Sequence, residues 1–143
     1  MTDFRPTVDL GNAVLAAQPF NGQVGARCTV LDPGAATLEI EIGDLHRQQY
    51  GVVHGGVLAY AADNALTFAG GSVLGPSVIT AGFTINYLRA ARDGVLRAEA
   101  VVVHATARQA VCTAELRVVD PDGGSVLCAV AQGTVVATGV SRT

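Results

Sequence analysis

Gln48-Gln49-Tyr50-Gly51-Val52-Val53-His54-Gly55-Gly56, running straight into Val57-Leu58-Ala59-Tyr60-Ala61-Ala62-Asp63, decides how this chain folds. A polar, glycine-punctuated loop enters a helix-like segment that is apolar except for one acid. A Gly-Gly pair opening a helix leaves backbone N–H groups uncovered, because glycine has no side chain to block close approach. The helix dipole makes that end attractive to negative charge. A lone carboxylate two turns into so apolar a helix is costly unless it is paired or used. The pattern reads as an oxyanion site together with a carboxylate aimed at an electrophile.

Outward from this stretch, residues 57–73 form the one long helix, ended by Gly75-Pro76. A helix apolar on all sides is expected to be buried. Residues 43–53 read as a loop. Residues 36–42 alternate as a strand, with Leu38, Ile40 and Ile42 on one face and Thr37, Glu39 and Glu41 on the other. Before the turn at Asp32-Pro33-Gly34, residues 23–31 read as a strand. Residues 8–17 read as a short helix with Leu10, Val14 and Ala17 on one face and Pro19 behind it. After the long helix, residues 77–88, 95–105, 109–119 and 125–137 are rich in Val and Thr with period-two alternation. The turns at Ala91-Arg92-Asp93-Gly94 and Asp120-Pro121-Asp122-Gly123-Gly124 suit antiparallel neighbours. The expected class is α+β: a single domain over 1–143, with one antiparallel sheet curled around a central buried helix. No repeat, linker or low-complexity segment interrupts it.

Composition narrows the function. Half of the 143 residues are hydrophobic and only 15% are charged. A soluble monomer usually carries about a quarter charged residues, so apolar surface covered by a partner subunit is expected. A net charge of −3 gives no reason to expect nucleic acid. All nine basic residues are arginine, each a planar fork suited to phosphate. Cys28, Cys112 and Cys128 are odd in number and lie on apolar strand patterns, which suggests buried free thiols and a reducing compartment. No CxxC or paired-His spacing suggests a metal. The segment 1–6 carries Asp3 and Arg5 and no apolar core of a signal peptide. The longest apolar run, 57–69, contains Asp63 and Asn64 and is too short to span a bilayer. No membrane association is expected, and the expected location is the cytoplasm.

Gln48, His54-Gly55-Gly56, Asp63 and Thr67 resemble the signature of the hotdog-fold acyl-CoA thioesterases, including the phenylacetate-pathway and 4-hydroxybenzoyl-CoA thioesterase branches. The resemblance continues through Ile85-Asn86-Tyr87-Leu88-Arg89-Ala90-Ala91 and Asp122-Gly123-Gly124, and so covers most of the chain from about Gln23. It implies a hotdog fold, an acyl-CoA substrate, no cofactor, and hydrolysis to free acid and coenzyme A. It also implies roles. The Gly55 N–H would stabilise the oxyanion and Asp63 would be general base or nucleophile. Gln48 would hold the carbonyl or the water. Thr67, at i+4 from Asp63, would orient the water or the carboxylate. His54 would position the loop, with direct acid–base work as the alternative. Gly56, Thr80 and Leu66 would line the substrate site, with Leu58 and Phe68 as further apolar walls. Arg89 and Arg108, and Arg92 beside them, could clamp coenzyme A phosphates.

Two departures matter. Many relatives carry Asn where this chain has Gln48. The 4-hydroxybenzoyl-CoA branch has Gln there, but with Glu at the position of Asp63. Relatives also often carry Gly before the arginine of the late turn, where this chain has Ala107. Ordinary structural roles compete at each position. Asp63 could bond a neighbouring backbone, Gly55 and Gly56 could serve close packing, Thr67 could back-bond to its own helix, and any one arginine could be simply solvated. His104 reads as an ordinary strand-end histidine.

Helix geometry adds a deduction independent of any family. Gly55 and Asp63 are eight residues apart, or about 12 Å along a helix axis. They cannot both touch one thioester carbon. A twofold pairing with antiparallel helices brings Gly55 of one chain beside Asp63 of the other. The resemblance implies the same: a homodimer with shared active sites, and a dimer of dimers. The alternatives are a non-catalytic acyl-CoA-binding module, or a hotdog enoyl-CoA hydratase or dehydratase built on His54 and Asp63.

Overall fold

The computed structural model describes residues 4–139. Met1 to Asp3, within the segment read for a leader, lie outside the described residues. Helix α1 (Val8–Ala16) and the single turn α2 (Asn21–Val24) precede β1 (Arg27–Asp32) and β2 (Ala35–Glu41). A 3₁₀ turn at Asp44–His46 leads to the long α3 (Gly55–Leu74). Then come β3 (Val78–Tyr87), β4 (Val95–Ala105), β5 (Gln109–Val119) and β6 (Ser125–Ala137). All pairings are antiparallel, in the order β1-β2-β4-β5-β6-β3. The sheet curls around α3, as the sequence pattern predicts. Bulges in β1, β3, β4 and the β5–β6 ladder bend it.

Small residues set how closely helix and sheet approach. Ala61, Ala62, Ala65 and Ala69 are buried on α3, and Ala98, Ala100, Ala114 and Ala131 on the strands it lies against. At Gly70 the approach is closest: a Cβ there would stand 2.7 Å from Cβ of Val135. The core thus mixes alanines at the helix–sheet contact with fully buried large side chains such as Leu38, Ile40, Leu66, Leu96 and Leu116.

Four expectations need correction. Residues 23–31 are not one strand. The Asn21 amide bonds both N–H and C=O of Ala26, and Gly25 takes φ 80°, so a helical turn ends there and β1 starts only at Arg27. On α1 the buried face is Gly11 and Leu15, not Val14 and Ala17. Gly11 rests on Cys28, where a Cβ would meet Sγ at 2.7 Å, so the bare backbone faces inward. Helix α3 begins at Gly55, so both glycines lie within its first turn. It is also not buried all round: Tyr60, Asp63, Asn64, Thr67 and Phe68 form a half-exposed stripe at i, i+3, i+4 spacing. That stripe carries every polar side chain expected to do chemistry on the helix.

Candidate active site

The loop before α3 is tied down from several sides. Arg47 donates to the carbonyls of Gly51 and Arg92 and pairs with Asp93 at 2.7 Å and Asp44 at 3.3 Å. The Asp93 bond holds its guanidinium firmly charged. His46 is buried. Its Nδ1 accepts from the Gly43 N–H at 3.0 Å, which leaves Nε2 to donate to the Val24 carbonyl at 2.7 Å. Gln48 opens a tight turn that Gly51 closes at φ 86°. Its side-chain carbonyl accepts from the Tyr50 N–H, and its NH₂ is a donor with no partner among the described residues.

At the start of α3 the backbone N–H groups are almost all spoken for. The His54 N–H donates to His46 O, Gly56 N–H to His54 Nδ1, and Val57 N–H to His54 O. His54 is therefore the N-cap, and the absence of a side chain on Gly56 lets the ring approach. Only the Gly55 N–H has no partner among the described residues. Tyr87 stands over it and donates from its hydroxyl to the Gly55 carbonyl at 2.9 Å. A recess of about 310 Å³ opens here, with Gly55, Leu58, Tyr87 and Arg89 in its wall.

Two turns along, the Asp63 carboxylate meets β3. Thr80 donates to Oδ1 at 2.7 Å, and Thr67 lies 3.4 Å from the same oxygen. Thr67 and Thr80 hydroxyl oxygens are 2.5 Å apart, and Thr67 also back-bonds to the Asp63 carbonyl at 2.8 Å. With the Thr80 proton given to the carboxylate, Thr67 is the donor to either Thr80 or the helix. Oδ2 has no protein partner among the described residues. A bulge at Ala81–Gly82 makes this meeting possible. The register skips from Thr80↔Val135 to Gly82↔Thr134, so Thr80 points to the helix on one side of it and Phe83, Ile85 and Tyr87 on the other.

The expected residues thus fall into two groups. Gly55, Gly56, His54 and Arg89 lie at the start of α3, with Gln48 in the loop leading to it. Asp63, Thr67 and Thr80 lie at its middle. One chain does not bring the groups together. Leu66 is fully buried beneath the helix, so it is core; Phe68 lines a cavity instead. Arg108 sits in the β4–β5 turn, at the end of the sheet opposite Arg89. His46, Arg47 and Tyr87 are contributors that sequence reasoning missed. Burial first, and further on the charge of Asp63, raise the Tyr60 hydroxyl above its usual range, with Asn64 opposing. Its hydroxyl donates to Asn21 at 2.8 Å. Among the described residues no cluster of His, Cys, Asp or Glu is arranged to hold a metal ion. Among the described residues no helix is long and apolar enough to cross a membrane.

A single antiparallel sheet curled around a long central helix is the hotdog fold. The chain belongs to the thioesterase superfamily, whose family model matches residues 50–125, more than half its length. It is a thioester hydrolase by that membership. A thioesterase family protein from Silicibacter pomeroyi superposes with a TM-score of 0.82 at 27% identity, over 88% of this chain and 93% of that one. A mutant of the phenylacetic acid degradation protein PaaI from Thermus thermophilus gives a TM-score of 0.72 at 30% identity, over 84% and 99%. The 1,4-dihydroxy-2-naphthoyl-CoA hydrolase of Listeria monocytogenes is 26% identical over 83 residues, which is 57% of this chain and 68% of that protein.

Proposed function

We propose that the chain, as one domain over 1–143, hydrolyses an aryl- or medium-chain acyl-CoA to free acid and coenzyme A. The observation that carries this reading is a matched pair of vacancies. Among the described residues the Gly55 N–H has no acceptor and Asp63 Oδ2 has no donor. Water bound at Oδ2 gives up a proton to Asp63 as its oxygen bonds the thioester carbon. The tetrahedral oxyanion rests on the Gly55 N–H. The C–S bond then breaks, and the thiolate takes the proton back. Direct attack by Asp63, giving an anhydride that water opens, uses the same atoms. In a single turnover in ¹⁸O water, label in the Asp63 carboxylate marks an anhydride that water opens at the Asp63 carbonyl, whereas direct water attack puts label in the product acid alone.

The two vacancies meet between subunits. Strand β3 is an edge of the sheet, with Ile79 and Tyr87 exposed, and an unpaired edge ten residues long is a template for another strand. Antiparallel pairing of β3 with its own copy, residue 78 opposite 87, sets Thr80 and Asp63 beside the Tyr87–Gly55 end of the partner. The same twofold carries Arg108 toward Arg89 of the partner subunit, so the two arginines can share one coenzyme A. A dimer of dimers would cover more of the sheet. Three buried cysteines, none in a disulfide, support a cytoplasmic enzyme. His54 spends Nδ1 on its cap, which argues against the hydratase alternative. The test is release of free thiol from a panel of acyl-CoAs by purified protein. Turnover of aryl or medium-chain members is expected; none with any member overturns the reading.

A further inference from the structure

Tyr87 reaches the start of α3 from the end of β3, and the reaction as written gives it no task. We infer that Tyr87 is a positioning residue. Its hydroxyl and ring hold the Gly55–Gly56 backbone so that the Gly55 N–H keeps one direction. The inference rests on the thioesterase reading and adds to it the group that aims the oxyanion donor.

Three observations carry it. First, one peptide unit is held at both ends. The Tyr87 hydroxyl donates to the Gly55 carbonyl at 2.9 Å, and the N–H of the same unit, on Gly56, donates to His54 Nδ1 at 2.8 Å. Two bonds on one peptide polarise each other. Glycine leaves this backbone freer than any other residue would, at an end where helices fray. Second, the ring lies on the glycine. A Cβ on Gly55 would stand 3.2 Å from Cζ and 3.3 Å from Oη of Tyr87. The bare backbone lets the ring close down on the turn, and the ring returns the restraint that the missing side chain gives up. Third, the phenol is presented from a fixed element. The N–H groups of Leu88 and Arg89 both donate to the Cys128 carbonyl, at 2.7 and 3.2 Å, and Tyr87 pairs with Ala129 in the β3–β6 ladder. Half of Tyr87 is exposed beside the recess at Gly55, so core packing does not explain its place. The chemistry gives the restraint a use. An oxyanion donor acts only when aimed at the point where charge develops. Binding of the ground-state substrate gains little from that aim, so its loss is felt in turnover and not in affinity.

Tyr87→Phe keeps the ring and removes only the hydroxyl. Full loss of an oxyanion donor costs about 10²–10³ in kcat, so a slackened one should cost on the order of tenfold. KM for the best acyl-CoA, and the calorimetric Kd of a thioether analogue that lacks the carbonyl, should stay within about twofold of wild type. Native kcat, or an equal loss in kcat and in analogue binding, overturns the assignment. A second test removes the ring. Gly55→Ala should lower kcat about tenfold or more in the wild-type background, and no more than about threefold in a Tyr87→Ala background, where the methyl group has room. Costs that simply multiply overturn the contact as the reason for the glycine. The third readout is independent of turnover. Hydrogen exchange of the Gly56 amide, followed by NMR, should be at least about threefold faster in Tyr87→Phe than in wild type. Unchanged exchange overturns the restraint. Faster exchange in a protein whose wild type hydrolyses no thioester keeps the restraint and removes the enzyme.

Discussion

The first and third turns of α3 are opposites. The first turn is bare: two glycines, a capping histidine and one amide left open. The third is crowded, with a carboxylate that accepts from Thr80 of β3 and has Thr67 of its own helix 3.4 Å away. One end has the positive character of a helix start; the other is negative and accepts from Thr80 on one oxygen. Backbone geometry makes the first, so no side chain there needs to be reactive. Side-chain convergence makes the second, and it depends on a strand bulge far along the sequence. In the proposed reading each is half of a site, and about 12 Å of straight helix keeps the two apart within one chain.

The sharpest way to break this contrast is to silence the third turn alone. Asp63→Asn keeps the shape and the hydrogen-bonding capacity but cannot take a proton. It should fold and associate as wild type while kcat falls by about 10²–10⁴. Near-native turnover would remove Asp63 from the chemistry, and a failure to fold would make it a structural acid. Next comes a test of the split itself. Gly55→Val crowds the first turn, because a Cβ there already comes within 3.2 Å of the Tyr87 ring. Coexpressed with Asp63→Asn, it should give mixed dimers with one intact site, and about a quarter of wild-type sites if mixing is random. Demonstrated heterodimers without any recovery would argue for a site within one chain.

Smaller effects grade the third turn. Thr80→Val removes a donor to a charged group, a bond worth about 1.5–3 kcal/mol, so kcat should drop on the order of tenfold to a hundredfold. Thr67→Ala should cost less, since Thr67 spends its proton partly on the helix. Reversal of that order would make Thr67 the orienting group. The smallest effect lies outside the site. Burial pushes the Cys112 thiol up to about 11 from 9.0, and raises Cys28 and Cys128 too. A raised thiol favours the protonated, folded state. The unfolded chain therefore loses protons first as pH rises above about 9, and stability falls. Cys112 alone should cost on the order of 2 kcal/mol by pH 11. Urea titrations between pH 8 and 11 would check this, with a flat profile as the contrary result.

Much of this was legible. The bounds of β4, β5 and β6 match the alternating runs residue for residue, and β5 alternates throughout because it is buried on one face, while bulges interrupt the alternation of β4 and β6. Asp63 and Thr67 share a helix, so spacing alone pairs them. Thr80 was only loosely placed, since simple alternation would put it on one face with Thr84, and the bulge reverses that. Gly82 was the available signal, as a glycine inside a strand often marks a bulge. His46, Arg47 and Tyr87 act through partners 22 to 46 residues away, and no local pattern encodes such contacts. Leu66 was misjudged because an apolar residue on a helix does not announce which side it faces.

Gly70 behaves as a shim. It is a turn and more beyond Asp63 and has no chemistry of its own, yet it sets the gap between α3 and β6, the strand that carries β3. One methyl group there would meet Val135 Cβ at 2.7 Å, well inside ordinary contact, and would push the helix away from β6. The 2.7 Å bond from Thr80 to Asp63 has little slack to absorb such a shift. A mutational map of this enzyme scored by turnover would then flag a buried glycine as strongly as an active-site threonine. Only a structural ruler, not a reactive group, would lie behind the signal.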